Sequence, residues 1–217
     1  WAGGGNLGPS IEYFVRGLEV GNMVFMQYKT YPDGSREELN IKIIDTGIGL
    51  ERIPWLMNGN PTSYMIVFKN AFNYLSEKLG MTVDSKIWEK FGPYSSQLDV
   101  DEAENIDETW QQIADLVGKD LKTVKEQISP IKDLYIVLDH TRTVMITIID
   151  GSLPSNVGGG GNVRNILRRV FAILKKNDWW DKLGGMEGFL KLFDYHKEDL
   201  RGIFGEFKEY KSFNEII

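Results

Sequence analysis

Apolar residues follow two different patterns along the chain. In the first part, Met23–Tyr28 and Leu39–Ile44 have strand composition and flank the turn-forming segment Tyr31–Ser35, which predicts an antiparallel hairpin. From Tyr64 to Leu79 the apolar residues recur at helical spacing, which is typical of helices that pack against one another. The pattern therefore predicts an α+β protein in which strands precede helices.

Further amphipathic helices are predicted at Trp110–Val117 and Val124–Ile131. The residues alone leave Leu134–Ile149 open, because the β-branched run Val144–Ile149 favours a strand. The acidic run Asp99–Glu108 lacks the spacing and central glycine of an oxygen-ligand metal loop, so a solvated helix start is favoured there.

The candidate chemistry lies in Ile43–Leu56, which is predicted to be a strand that breaks on Gly47 and Gly49 and restarts as a helix. Asp45 and Arg52 then lie at the two ends of one rigid strand-turn-helix unit. A carboxylate and a guanidinium held in this way can bind an amine and a phosphate. Taken alone, the pattern is more typical of a glycine turn with an exposed arginine, so its interpretation depends on context.

Composition limits the classes of protein that remain. The chain has 217 residues, of which 42% are hydrophobic and 26% charged, so it can form one large domain or two small ones. No apolar run approaches the roughly 20 residues of a membrane span, and no membrane association is expected. Without cysteine there can be no disulfide or Cys-based zinc site. His140 and His196 are too few for a histidine-rich metal site, although carboxylate-bound Mg²⁺ stays open.

A basic helix is predicted after the glycine run Gly158–Gly161, although the net charge of −6 argues against a general nucleic-acid binder. Its polar faces carry five cations: Arg164, Arg168, Arg169, Lys175 and Lys176. Backbone amides at a helix start and a line of cations suit phosphates. The glycines lack the Lys-Ser/Thr of a nucleotide-binding loop, and a flexible connector is the simpler alternative. The aromatic residues after Trp179 could stack on RNA bases, but their spacing favours helical packing.

Four ordered segments resemble one enzyme family. Asp45–Arg52 closely resembles motif 3 of class II aminoacyl-tRNA synthetases, in a form similar to that of the alanyl-tRNA synthetase family. The other three segments are Trp1 with Gly8–Glu12, Asn22–Tyr28, and Asp139–Arg142 followed by Asp150–Asn156 and the basic helix. The glycine-rich stretch after Asn156 is similar to the archaeal branch. The resemblance implies the C-terminal part of the class II catalytic sheet over residues 1–60, a mainly helical tRNA-recognition domain over residues 61–217, and a helix at Leu134–Ile149.

The resemblance implies an alanine–tRNA ligase, and it assigns roles to particular residues. Trp1, Asn22, Val24, Asp45 and Gly47 match the alanine pocket, in which the carboxylate takes the ammonium group and Val24 and Gly47 limit side-chain volume. Gly47, Gly49 and Arg52 match the ATP site, with Arg52 and Asp45 as the catalytic pair. Arg142, Arg164, Arg168 and Arg169 match the tRNA-binding part. His140 is expected to be structural.

The chain also departs from the family pattern. It has one Gly-Pro-Ser where the family has two Gly-Pro-Cys elements, and Gly159, Gly161 and Asn165 replace residues that contact RNA in bacterial members. It begins at Trp1 without methionine and lacks motifs 1 and 2 and the editing domain, so a fragment is expected.

The implied substrates and partners are alanine, ATP and tRNA(Ala), with Mg²⁺ and without zinc in this chain. The implied location is the cytoplasm, and a homodimer would form through regions outside this chain. A non-catalytic RNA-binding module derived from the synthetase is the alternative. A general nucleotide-binding protein is disfavoured, because neither glycine loop carries a full phosphate-binding signature.

Overall fold

The computed structural model describes residues 1–98 and 105–204. The chain divides into two compact units, Trp1–Ser63 and a second unit that starts at Tyr64. The first unit is a sheet with one short helix, and the second is helical. The predicted α+β class is therefore confirmed.

The first unit is an antiparallel sheet built around one long strand. Its elements are β1 (Ala2–Gly3), β2 (Asn6–Leu7), β3 (Ser10–Val15), β4 (Leu18–Thr30), β5 (Arg36–Ile48) and helix α1 (Arg52–Asn58). Strand β5 pairs with β4 along one side, while β3 and β2 pair with successive parts of the other side. The predicted hairpin is thus confirmed as β4 and β5, and both strands are longer than expected.

Strand β5 extends beyond Leu39–Ile44, the segment with strand composition, and continues through Gly47 to Ile48. The long β4 strand supplies partners for the extra residues, since Thr46 faces Met23 and Gly47 faces Asn22. Asp45 consequently lies inside a strand rather than at its end. Leu50, which precedes α1, and Met57 near the end of α1 are both exposed.

The second unit is a layered set of helices, with bounds α2 (Tyr64–Val67), α3 (Lys69–Leu79), α4 (Ser85–Phe91), a 3-10 helix (Gly92–Leu98), α5 (Ile106–Val117), α6 (Leu121–Ile149), α7 (Gly158–Lys176), α8 (Trp179–Leu183) and α9 (Gly185–Leu200). The predicted helix at Tyr64–Leu79 is therefore interrupted at Phe68. Helix α3 packs on α8 and α9, and α6 packs on α5, α7 and α9. Leu75, Ile113 and Leu134 are fully buried at the centre of this unit.

Helix α6 joins two segments that the sequence analysis treated separately. It runs through Pro130 without ending, because Ile128, Ile131 and Leu134 are buried on either side of the proline. Its last turns contain Val144–Ile149, so the helix implied by the resemblance is confirmed and strand propensity is overridden by burial.

Two predicted features lie partly outside the described residues. Residues 99–104 of the acidic run are not described, while Asp107 and Glu108 are exposed in the first turn of α5, as expected of a solvated helix start. Phe189 and Phe193 are fully buried, which confirms helical packing for the aromatic residues up to α9. Phe207, Tyr210 and Phe213 lie beyond residue 204.

Within the described part of the chain, no helix combines the length and the apolar composition needed to cross a membrane.

Candidate functional site

The strand register brings four predicted site residues onto one face of the sheet. Asn22 of β4 lies opposite Gly47 of β5, and Val24 lies opposite Asp45. Directly opposed residues share a face, and so do residues two apart on one strand. Val24 is buried, whereas the backbone of Gly47 and the side chain of Asp45 are exposed. This face therefore presents a carboxylate and an amide beside a small apolar floor.

Gly47 leaves room for the amide of Asn22. A Cβ atom at Gly47 would lie 3.0 Å from Oδ1 of Asn22, which is tighter than an ordinary contact. Any larger residue would therefore displace Asn22 or occupy the space between the two strands.

Glu19 is a part of the site that the sequence analysis missed. Its carboxylate accepts a hydrogen bond from Nδ2 of Asn22 at 3.2 Å and one from Nη1 of Arg52 at 3.0 Å. Nη1 of Arg52 also donates to the carbonyl oxygen of Glu19 at 2.9 Å. The hydrogen bonds from Asn22 and Arg52 hold the pKa of Glu19 below its ordinary value, so the carboxylate is ionised at neutral pH.

A β-bulge explains how Glu19 reaches Asn22. Strand alternation would put residues three apart on opposite faces. The pairing of β3 with β4 shifts, however, so that Tyr13 faces Gly21 and the next residue, Phe14, faces Glu19. The extra residue Val20 changes the alternation and turns Glu19 toward the site face. No local sequence signal marks such a bulge.

Arg52 opens helix α1 and reaches back to β4. Gly49 makes room for its stem, since a Cβ atom there would lie 2.7 Å from Cδ of Arg52. The side chain is 44% exposed even with Glu19 bound. The structure therefore holds the Arg52 guanidinium at a fixed position beside the sheet face that carries Asn22 and Asp45. There its paired N–H groups can bind an oxyanion.

Trp1 lies at the edge of the sheet. Its ring packs on Gly3, and its carbonyl oxygen accepts a hydrogen bond from the backbone of Gly8 at 3.2 Å. The ring is half exposed. Its predicted place in an alanine pocket stays a prediction.

Arg142 has an internal position that the sequence analysis did not foresee. Only 12% of its side chain is exposed. Its guanidinium donates to the carbonyl oxygen of Val67 at 2.8 Å, lies 3.9 Å from the ring centroid of Phe68, and is 3.5 Å from the Asp199 carboxylate. These contacts give Arg142 a role in joining helices, and they leave little of its side chain exposed for the predicted contact with tRNA.

The two histidines lie on different helices, α6 and α9. His140 lies on α6, and its Nδ1 atom is 3.3 Å from the carboxylate of Asp139. His196 is fully buried, and its Nε2 atom shares a hydrogen bond of 2.8 Å with the Thr141 hydroxyl. The structural role expected for His140 stays a prediction.

The predicted arginines of the basic helix lie on the surface of α7. Arg164, Arg168 and Arg169 are exposed, and Arg164 donates to the side-chain oxygen of Asn156. Lys176 differs, because it pairs with Asp133 at 3.0 Å. Most of this cationic surface can therefore meet a polyanion.

The glycine run is part of α7 rather than a linker before it. The helix begins at Gly158, and the amide of Ser155 donates to the Gly160 carbonyl at 3.0 Å. A Cβ atom at Gly160 would lie 2.5 Å from the Leu153 carbonyl oxygen. The preceding loop thus packs directly on the helix start, which contradicts a freely flexible connector.

Comparison with known proteins gives a consistent result. The sequence model of the family described as tRNA synthetases class II (A) matches residues 86–217, which is more than half of the chain. The alanine–tRNA ligase of Methanocella arvoryzae is 42% identical over all 217 residues of this chain, which cover 24% of that protein. Those of Pyrobaculum calidifontis and Methanobrevibacter smithii are 39% and 38% identical over 98% and 87% of this chain, covering 23% and 21% of each protein. The chain thus spans about a quarter of the length of these relatives.

Proposed function

Because the chain belongs to the class II (A) tRNA synthetases, we propose that it forms part of an alanine–tRNA ligase. In the proposed reaction, alanine and ATP give alanyl-adenylate and pyrophosphate. The alanyl group then moves to the terminal ribose of tRNA(Ala), and AMP is released. The relatives reported above carry this name and match nearly the whole chain. We further propose a cytoplasmic location, where such a reaction would meet tRNA.

The observation that carries this proposal is the pairing of Asn22 with Gly47 and of Val24 with Asp45 on one face. Asp45 supplies a carboxylate for the ammonium group of an amino acid, and Asn22 supplies an amide beside it. Val24 and Gly47 match the positions that limit side-chain volume in the family that the sequence resembles. The face is therefore suited to alanine rather than to larger amino acids.

Arg52 supports the ATP half of the proposal. It lies beside the pocket face, and a guanidinium binds phosphate oxygens through a fork of N–H groups. Glu19 holds it in place at 3.0 Å, so the cation is positioned before ATP arrives. Activation of this kind relies on positioning and charge stabilisation, and Gly47 and Gly49 allow the close approach of the nucleotide.

Mg²⁺ accompanies ATP in our proposal, but the described part of the chain offers it no ready-made cage. The described residues contain no group of three or more acidic or histidine side chains placed to hold a metal ion. When bound, Mg²⁺ would neutralise phosphate charge, and we assign none of its ligands to this chain.

Substitution of Asp45 in the full-length protein tests the proposal. Asp45→Asn removes the carboxylate from the ammonium group and is expected to cost about 3–5 kcal/mol in alanine activation. Asp45 is exposed in the free chain, but the ion pair that it forms with bound alanine is desolvated in the occupied site, and the substitution removes one partner of that pair. That cost corresponds to roughly two to four orders of magnitude in ATP–pyrophosphate exchange. The affinity for tRNA should stay within about twofold.

Asp33→Asn is the matched control, since Asp33 is an exposed aspartate in the turn at the far end of the same hairpin. Its exchange rate should equal that of the wild type. Near-normal exchange in Asp45→Asn would contradict the assignment of the pocket. Absence of exchange in the wild type, with tRNA binding intact, would favour the non-catalytic RNA-binding alternative.

A further inference from the structure

A cleft opens in the surface of the helical unit where α7 ends and α8 begins. It has a volume of about 480 Å³ and is lined by Phe171, Leu174, Lys175, Asp178, Trp180 and Asp181. The rings of Phe171 and Trp180 lie 5.8 Å apart at an angle of 64°. Both rings also contact the buried Phe189, so the cleft walls are anchored in the core while Phe171 remains 36% exposed.

The cleft lies on a line of cations along α7. Arg164, Arg168, Phe171 and Lys175 are separated by four, three and four residues, a spacing that places them one above another on a helix. All four are exposed. Arg169 lies about 100° around the helix from Arg168 and so belongs to another face.

This combination favours a nucleotide strand over an apolar partner. A purely hydrophobic surface would suit a peptide side chain. Proteins that bind single-stranded nucleic acid instead combine a row of cations with aromatic side chains. The cations follow the phosphates and the aromatic rings stack on bases. The carboxylates of Asp178 and Asp181 accept hydrogen bonds from amino groups, which adenine, cytosine and guanine carry and uracil does not.

We propose that the cleft between α7 and α8 binds one unpaired, amino-bearing nucleobase of an RNA strand whose phosphates lie along Lys175, Arg168 and Arg164. The base stacks on the aromatic wall formed by Phe171 and Trp180. This proposal rests on the proposed function, in which RNA is a partner, and extends it to a site that takes an unpaired nucleotide.

The test uses the 217-residue chain and fluorescently labelled hexanucleotides of cytidine and of uridine, with anisotropy as the readout at two salt concentrations. The cytidine strand should bind at least about fivefold more tightly than the uridine strand. Trp180→Leu should weaken cytidine binding roughly 5- to 100-fold, the range found when a stacking aromatic is removed. Lys175→Gln should reduce the salt dependence by about 0.7 in the log–log slope, the value for one single-strand phosphate contact.

Lys122→Gln is the matched control, because it removes an equal charge from another helix of the same unit, α6, where the Lys122 side chain is 84% exposed. It should leave both hexanucleotide affinities unchanged. Far-ultraviolet circular dichroism verifies folding, and Lys175→Gln decides the question if Trp180→Leu fails to fold, since Lys175 is an exposed side chain.

Equal binding of cytidine and uridine strands, or an effect of Lys122→Gln as large as that of Lys175→Gln, would overturn the proposal. If these outcomes occur while wild-type protein binds tRNA, the proposed function stands and only the cleft assignment fails. If the wild-type chain binds neither hexanucleotides nor tRNA, the RNA-binding part of the proposed function fails as well.

Discussion

Replacement of Asp199 is predicted to be among the most destabilising single changes in the helical unit. Asp199 lies near the end of α9, and its carboxylate accepts hydrogen bonds from the backbone amides of Asn70 at 2.8 Å and Ala71 at 3.2 Å. These amides lie in the first turn of α3, where the N-cap residue Phe68 supplies no side-chain hydrogen bond. Asp199 therefore caps α3 from a helix that is distant in the sequence, and it also faces Arg142.

The expected magnitude follows from two overlapping terms. Loss of an N-cap costs about 0.5–2 kcal/mol, and removal of one partner from a buried ion pair costs about 3–5 kcal/mol. The side chains of Arg142 and Asp199 are only 12% and 4% exposed, so the cost given for a buried ion pair applies. The separation of 3.5 Å and the second bond of Arg142 to Val67 favour the lower end. Asp199→Ala should therefore lower the free energy of unfolding by about 3 kcal/mol.

Urea unfolding followed by circular dichroism at 222 nm measures this loss. Asp194→Ala is the control on the same helix, because Asp194 is exposed and forms a surface ion pair with Lys197 at 3.1 Å. Its effect should stay within about 0.5 kcal/mol. Equal stability of the two variants would refute the reasoning. Arg142→Met should destabilise the protein about as much as Asp199→Ala does. Under conditions in which the variant is folded, its affinity for tRNA should stay within about twofold of the wild type. A larger loss of affinity would indicate that Arg142 contacts tRNA.

Two further predictions concern the loop before α7 and the buried histidine. Gly160→Ala should lower the melting temperature, because overpacking against Leu153 costs about 1–3 kcal/mol of stability. Gly159→Ala places its methyl group in open space and should increase stability by about 0.5–1 kcal/mol. Equal shifts of the melting temperature in the two variants would contradict the close approach of the loop at Gly160. Burial first, and then the charge of Arg142, lower the pKa of His196 well below its ordinary value. The unfolded state therefore binds a proton that the folded state rejects, and stability should fall as pH drops below about 6.5, by up to roughly 1.4 kcal/mol per unit. Unfolding free energies measured between pH 7.5 and 5 check this, and a His196→Gln variant should lose that part of the slope.

Sequence patterns predicted the elements better than the contacts between them. The β4–β5 hairpin could be predicted because strand composition and turn residues are local signals. The position of Glu19 beside Asn22 could not, since it depends on a bulge that is created by pairing with β3. Only the family resemblance groups Asn22, Val24, Asp45 and Gly47. Alternation of side chains within β4 does not determine which residue of β5 lies opposite each residue of β4.

The helical unit shows the same limit in another form. Val144–Ile149 has strand composition, and only burial against other helices decides its conformation. Arg142 was grouped with the surface arginines because its partner Asp199 lies far along the chain and carries no sequence mark. A charged residue beside the apolar stripe of a helix can be buried when a carboxylate from a distant part of the chain pairs with it. The periodicity of the helix gives no information about that carboxylate.

The two proposed binding activities depend on different kinds of structure, and this has a consequence for mutation. The alanine pocket depends on backbone register, since the opposition of Val24 to Asp45 would be lost if β5 slipped by one residue. RNA binding by α7 depends on side chains that project from a helix whose buried face includes Val170 and Leu174, so single charges can be removed without altering the fold. Substitutions in α7 should therefore change affinity in graded steps, whereas a change that disturbs the β3–β4 bulge should displace Glu19 and, with it, both Asn22 and Arg52. The pocket is thus the more fragile of the two sites, because one carboxylate holds two of its functional groups.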